Sequence, residues 1–166
     1  MYKNSPQHKN TAAKICALSC LLSGGALFCL TNARLIAFAS LAQLIGILLI
    51  AAAVYIASAF LLRSYTYIVE ENGSGGYDFL ITEKKNKRDI KVLHFYITDI
   101  SSAREVNPSN HKQIQAERKA KKRYTYCTEF GARRFVEINA AIDGELYSVF
   151  VPYDRTLLDL LNSLII

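Results

Sequence analysis

Residues 14–63 read KICALSCLLSGGALFCLTNARLIAFASLAQLIGILLIAAAVYIASAFLLR, and this stretch decides the architecture of the chain. Between its two basic ends it contains one charged residue, Arg34, which separates uncharged runs of 19 and 28 residues. An α-helix rises about 1.5 Å per residue, so about 20 residues cross a hydrocarbon core that is about 30 Å thick. Each run is therefore long enough for one membrane crossing.

The two runs predict a transmembrane helical hairpin at residues 13–62, with spans near 13–31 and 36–61. The sequence TNAR at residues 31–34 predicts the polar turn between them. A buried hairpin in a soluble domain is the alternative, but a domain of this size rarely hides two such helices. A cleaved signal peptide is disfavoured because a longer apolar run follows the first one directly.

The basic residues around the spans predict their orientation. Lys3, Lys9 and Lys14 precede the first span, Arg63 follows the second, and Arg34 lies in the turn. The positive-inside rule therefore predicts that both termini are cytoplasmic. Residues 1–12 would then form a cytoplasmic N-terminal tail, and residues 63–166 a cytoplasmic domain.

The whole chain has 166 residues, 20 Lys and Arg, 14 Asp and Glu, and a formal net charge of +6. All the acidic residues lie at or after Glu70, which marks the change from membrane segment to water-soluble domain. A hydrophobic content of 51% excludes intrinsic disorder for most of the chain. Four cysteines are too few to suggest a disulfide scaffold, and an unpaired Cys127 agrees with a reducing compartment.

The region after residue 64 has the pattern of a β-rich domain that ends in a helix. Aromatic and β-branched residues predict seven short strands, at residues 65–69, 77–82, 90–95, 97–106 (after an initial turn), 124–130, 134–139 and 145–151. Asp143-Gly144 predicts a tight hairpin, and the polar residues 111–123 predict a short helix. Asp154 predicts the N-cap of a last helix. Its apolar stripe is Leu157, Leu160, Leu161 and Leu164.

Seven strands followed by one amphipathic helix resemble the pleckstrin-homology (PH) superfold, as found in bacterial PH-like domains of small two-span membrane proteins. The resemblance covers residues 64–166. It implies a membrane α-hairpin joined to an α+β domain, a bent antiparallel β-sandwich capped by the C-terminal helix. Members that bind phosphoinositides carry basic residues around the first hairpin. Residues 70–78 here read EENGSGGYD, so the resemblance does not extend to that site.

No motif predicts a catalytic residue, a cofactor site or a metal site. Cys127 is a possible nucleophile, with His94 and His111 as possible bases, but none lies in a recognisable catalytic motif. The histidine spacing does not match a metal site. The glycines of residues 73–76 lack the Lys-Ser/Thr pair that a phosphate-binding loop requires.

A basic run holds five charges in six positions, namely Arg118, Lys119, Lys121, Lys122 and Arg123. A second basic cluster consists of Lys84, Lys85, Lys87 and Arg88. Such a run can also be an ordinary charged surface that faces water and binds no ligand. A domain that is tethered to a bilayer by one or two residues lies next to the lipid headgroups, so the sequence predicts that the first run contacts anionic lipids. The near-neutral charge of the domain argues against nucleic-acid binding.

These observations together predict an integral membrane protein that presents a cytoplasmic PH-like binding or scaffold domain. Its expected partners are the bilayer, anionic lipid headgroups and a protein partner. Two alternatives stay open at this stage. One is a membrane-bound enzyme with an unrecognised site, and the other is an accessory subunit of a larger membrane complex.

Overall fold

The computed structural model describes residues 1–6, 10–32, 38–85, 88–117, 120 and 122–165. In these residues the elements are, in chain order, β1 (Tyr2–Asn4), α1 (Thr11–Asn32), α2 (Ala39–Ile56) with a π-helical end (Ala57–Leu61), β2 (Tyr65–Glu71), β3 (Tyr77–Lys85), β4 (Arg88–Tyr96), a 3₁₀ turn (Ile97–Asp99), β5 (Ile100–Val106), α3 (His111–Glu117), β6 (Lys122–Thr125), β7 (Phe135–Ile142), β8 (Glu145–Pro152) and α4 (Arg155–Leu164).

The chain divides into two compact units. The helical unit is His8–Arg63. The β unit combines Met1–Gln7 with Ser64–Ile166, so it contains both ends of the chain. The predicted boundary near residue 63 agrees with this division, whereas the N-terminal segment belongs to the β unit.

Within the helical unit, small residues allow α1 and α2 to pack closely. A methyl group added to Gly24 would lie 2.8 Å from the carbonyl oxygen of Gly46, which is too close for any side chain. Ala42 and Ala53 of α2 are also buried. Small residues at buried positions such as Gly24, Gly46, Ala42 and Ala53 let two helices approach closely.

Most of the described hairpin surface is not buried. The most apolar 18-residue windows of Thr11–Asn32 and Ala39–Leu61 have mean hydropathies of 1.8 and 2.6, and only 11% of each window is buried. A core helix of a water-soluble protein would be mostly buried. Both helices are long and apolar enough to cross a membrane, and they overlap the two predicted spans.

The first sheet has the order β1-β2-β3-β4, and all its pairs are antiparallel. Its first strand corrects the prediction that residues 1–12 form a tail, because Tyr2 pairs with Val69 and Asn4 with Tyr67. Three residues are too few to give a recognisable strand pattern. These residues pair with the open edge of β2, which lies more than sixty residues further along the chain.

The second sheet has the order β5-β7-β8-β6. A two-residue hairpin joins β7 to β8, and both its residues have positive φ, 50° at Asp143 and 77° at Gly144. This confirms the predicted turn, since Asp and Gly tolerate that conformation better than other residues. β6 runs parallel to β8, with Lys122 opposite Tyr147 and Thr125 opposite Phe150.

The described residues form eight strands where seven were predicted, and the fifth predicted strand is displaced. It was expected at residues 124–130 but lies at Lys122–Thr125. If the parallel register continued, Cys127 would face Pro152. Proline has no N–H to donate, so the ladder ends there.

One hydrophobic cluster joins both sheets to α4. Leu157 and Leu161 are 1% and 0% exposed, and Leu160 and Leu164 pack against the cluster from its margin. The Asp154 carboxylate accepts hydrogen bonds from the backbone N–H groups of Thr156 (2.8 Å) and Leu157 (3.4 Å). The predicted N-cap and apolar stripe are thus confirmed.

Replacing Leu161 by alanine should destabilise the β unit. Loss of a fully buried leucine leaves a cavity that costs about 2–5 kcal/mol, against a total domain stability of about 5–15 kcal/mol. Chemical denaturation of the full chain in mild detergent, followed by tyrosine fluorescence, would measure the loss. Leu146→Ala is the control, because Leu146 is 37% exposed. Equal midpoints for the two variants would mean that α4 is not part of the core.

Candidate functional site

The predicted lipid-binding run is only partly within the described residues. Arg118, Lys119 and Lys121 lie outside them, so their prediction is not tested. Lys122 and Arg123 are exposed on β6.

Lys122 is already engaged within the β unit. Its ammonium group forms an ion pair with Glu145 and lies 5.3 Å from the ring centroid of Tyr147. The Glu145 hydrogen bond raises the pKa of Lys122, and Lys122 in turn lowers the pKa of the Glu145 carboxyl. Lys122 is therefore a weaker candidate for lipid contact than its position in the basic run predicted.

The second sheet carries a polar cleft of about 310 Å³ on the face that points away from the hydrophobic cluster. Its lining is Ser101, Ser102, Arg104, Glu117, Ala120, Asn139, Leu146 and Tyr147. These residues come from β5, β7, β8, the end of α3 and the segment that follows α3. The lining contains hydroxyl, amide and charged groups but neither histidine nor cysteine, which suits hydrogen-bonded recognition better than nucleophilic chemistry.

A row of hydrogen bonds crosses three strands beside this cleft. The Ser148 hydroxyl donates to the Asn139 side-chain oxygen (2.6 Å), and the Asn139 amide donates to the Ser102 hydroxyl (3.1 Å). Ser148 is fully buried, so its hydroxyl needs this partner. The row keeps the floor of the cleft polar and rigid.

A buried carboxylate stands next to this row. Glu137 is completely buried, and its Oε2 accepts a hydrogen bond from Nε of Arg104 at 2.9 Å. Arg104 also contacts Glu117 of α3 at 3.3 Å. The guanidinium thus joins β5 to β7 and to α3. A buried carboxylate without such a partner would be costly.

A second, apolar groove of about 240 Å³ lies at the other end of the same sheet face. It is lined by Val106, His111, Arg123, Thr125, Phe135 and Phe150. Phe135 and Phe150 meet edge to face, with ring centroids 6.5 Å apart. Arg123, one of the two predicted lipid-binding residues that the structure describes, borders this groove.

The candidate nucleophile and bases are not assembled into a catalytic site. His94 Nε2 lies 2.9 Å from Asp78 Oδ2 in the first sheet, whereas His111 belongs to α3 on the second sheet. Cys127 is a free thiol, and burial raises its pKa, which disfavours the reactive thiolate. Among the described residues, no three His, Cys, Asp or Glu side chains are grouped to hold a metal ion.

A polar junction in the β unit joins its N-terminal strand to its C-terminal helix. Oδ2 of Asp154 accepts hydrogen bonds from the Tyr2 hydroxyl and the Asn4 amide, both at 2.6 Å. Partial burial opposes ionisation of Asp154, but the hydrogen bonds outweigh it and lower its pKa. Burial and the contact with Asp154 raise the pKa of Tyr2. Sequence reasoning found the cap but missed Tyr2 and Asn4, because no local pattern links them to Asp154.

Sequence reasoning also missed the cleft and the ion pair beneath α3. A glutamate at the centre of the apolar strand FVEINAAI is the one local sign that a carboxylate is enclosed there. Its partner, more than thirty residues earlier in the chain, could not be identified from spacing.

Comparison with protein-family models, with characterised proteins and with solved structures finds no match to this chain.

Replacing Arg104 by alanine should destabilise the β unit by about 3 kcal/mol, because it removes the guanidinium that neutralises a buried carboxylate. The double variant Arg104→Ala, Glu137→Gln should recover part of that loss. Urea denaturation would measure all the variants, with Arg134→Ala as control, since Arg134 pairs with the partly exposed Glu105. Strictly additive effects of the two substitutions would contradict the coupling.

The Asp154 junction should make stability depend on pH. The folded-state pKa of Asp154 is lowered, so its contribution is present above the unfolded value of about 3.9 and is lost as pH falls through the folded value. Asn caps helices as well as Asp does, so Asp154→Asn isolates the charge. We expect the variant to be about 1 kcal/mol less stable at pH 7, and the difference to shrink progressively as the pH falls below about 4. Asp143→Asn, in the β7–β8 turn, is the control; a stability difference that did not shrink on acidification would refute the linkage.

Proposed function

We propose that this chain is an integral membrane protein whose helical hairpin anchors the β unit at the cytoplasmic surface of a bilayer, where that unit acts as a binding or scaffold module. One observation carries the proposal. β1 precedes both helices and β2 follows both, and the two strands pair with each other in one sheet.

This pairing limits the possible topologies. If α1 and α2 both cross the bilayer, the chain returns to the side on which it started, and β1 can reach β2. A single crossing would separate the two strands by the hydrocarbon core. Removal of the first span as a signal peptide would also remove Tyr2 and Asn4, which hydrogen-bond to Asp154. The sheet therefore supports two retained spans with both ends on one side.

Two features favour the cytoplasmic side. The basic residues that flank the spans outnumber the single Arg34 of the turn. Cys127 is a free thiol in the β unit, as is usual in a reducing compartment.

Recognition fits the β unit better than catalysis does. The cleft beside Asn139 offers hydrogen-bonding groups on a rigid sheet, and the groove beside Phe135 and Phe150 offers an apolar surface. In the part of the chain that the structure describes, histidine, cysteine and carboxylate groups do not converge in either of them. We therefore propose a module that binds a partner and is not an enzyme.

We further propose that the β unit is a PH-like domain. Support comes from the succession of antiparallel hairpins, the two sheets and the terminal helix that contributes Leu157 and Leu161 to their shared core. The added strand β1 and the parallel pairing of β6 with β8 depart from the predicted seven-strand order. Strands β1 and β6 both lie at the edge of a sheet, where a fold accepts an extra or rearranged strand most easily.

Reporter fusions would test the topology. A reporter that is active only in the cytoplasm should work at the C-terminus and fail when inserted within residues 33–37. A reporter that is active only outside should give the opposite pattern. The N-terminus is left unmodified because β1 requires it. A C-terminal reporter on the outside, or both sites on one side, would overturn the proposed topology.

A further inference from the structure

The β3–β4 hairpin ends next to the junction between the β unit and the second helix. The backbone N–H of Lys84 donates a hydrogen bond to the carbonyl oxygen of Ser64 at 2.9 Å. Tyr65, the first residue of β2, lies opposite Glu83, so Lys84 and Lys85 extend beyond the start of β2. The tip of this hairpin therefore lies at the end of the sheet where the chain arrives from α2.

The link between the helical stretch and the β unit is short. The helical stretch ends at Leu61, three residues before Ser64. Consecutive Cα atoms are 3.80 Å apart, so this link spans at most about 11 Å. The headgroup layer on each side of a bilayer is about 5–7 Å thick. Electrostatic attraction acts over a Debye length of about 8 Å at physiological salt, so the basic tip lies within its reach if Ala39–Leu61 spans the membrane.

The described basic residues of this hairpin, Lys84, Lys85 and Arg88, are exposed, and none of them forms a direct ion pair with a described carboxylate. Asp89 is the cross-strand neighbour of Lys84 and offsets part of its charge. This contrasts with Lys122, which is paired with Glu145.

The register of β3 against β4 gives a second, independent indication of an anionic ligand. Lys85 and Arg88 are direct cross-strand neighbours. Like charges in this position destabilise a hairpin, and an anion bound between them removes the repulsion. Ile90, two residues further along β4, is 47% exposed, so an apolar side chain accompanies the charges. Basic and apolar side chains together are typical of surfaces that lie in a bilayer interface.

We propose that Lys84, Lys85 and Arg88 bind the phosphate groups of anionic lipids in the leaflet that faces the β unit. This inference rests on the proposed membrane anchoring. It moves the principal lipid contact from residues 118–123 to the β3–β4 hairpin. Lys87, the remaining member of the hairpin cluster, lies outside the described residues and is not part of the proposed site.

Lipid enrichment around the full-length protein would test this site. The protein is reconstituted in vesicles of equal phosphatidylcholine and phosphatidylglycerol and re-extracted in mild detergent, and the co-purified lipids are quantified by mass spectrometry. Phosphatidylglycerol should be enriched at least about threefold over the bulk ratio at low salt, and less as ionic strength rises. The triple variant Lys84→Gln, Lys85→Gln, Arg88→Gln should return to the bulk ratio.

Three further variants control for charge and for folding. Lys112→Gln, Arg133→Gln, Arg155→Gln removes the same charge from exposed positions elsewhere and should keep the enrichment. The variant Lys84→Arg, Lys85→Arg, Arg88→Lys keeps the hairpin charge and should also keep the phosphatidylglycerol enrichment. Replacement of all five basic residues of 118–123 by Gln should leave most of that enrichment as well.

The outcomes separate this inference from the proposed function. Full enrichment in the hairpin triple variant, or an equal loss in the Lys112 control or the 118–123 variant, would overturn the site while leaving membrane anchoring intact. Loss of enrichment in millimolar inorganic phosphate would identify a site for free phosphate and overturn the lipid assignment. If alkaline carbonate releases the wild-type protein from membranes, both proposals fail.

Discussion

Asp154 joins the two ends of the β unit, and the rest of the architecture depends on that junction. One carboxylate oxygen caps α4, and the other accepts hydrogen bonds from Tyr2 and Asn4. The strand β1 pairs with β2 over three residues, and the carboxylate adds two hydrogen bonds that tie the same strand to α4. Both chain segments that lead to the helical hairpin therefore start from one structural unit. A single ionised group thus links the core-closing helix to the path of the whole chain.

Both faces of the second sheet contain buried residues. One face contributes Val136 and Ile138 to the central hydrophobic cluster. On the other face, Glu137 is enclosed and neutralised by Arg104, which also reaches α3. Burial of a carboxylate is tolerated only with a close and well-oriented partner, so this ion pair holds α3 to the sheet while the neighbouring serines and Asn139 leave a polar cleft open. The same contacts that stabilise this face therefore also shape its polar cleft.

Charge in the β unit is distributed by the fold and not simply by the sequence. Two basic clusters have similar composition, yet Lys122 forms an ion pair within the sheet whereas Lys84, Lys85 and Arg88 of the β3–β4 hairpin are exposed. The backbone hydrogen bond between Lys84 and Ser64 holds this hairpin beside the start of β2. The strands that meet in the fold therefore decide which basic residue is paired and which is exposed.

The sequence by itself determined the features that depend on neighbouring residues. Uncharged runs defined both long helices, Asp143-Gly144 defined a hairpin through its tolerance of positive φ, and Asp154 with Leu157 and Leu161 defined a capped amphipathic helix. Tertiary structure alone decided the features that join distant segments: the pairing of β1 with β2, the parallel placement of β6, the burial of Glu137 against Arg104 and the engagement of Lys122 by Glu145. The physical reason is that periodicity and turn chemistry act over a few residues, whereas strand partners, buried ion pairs and the exposure of a charge are set by which segments meet when the chain folds.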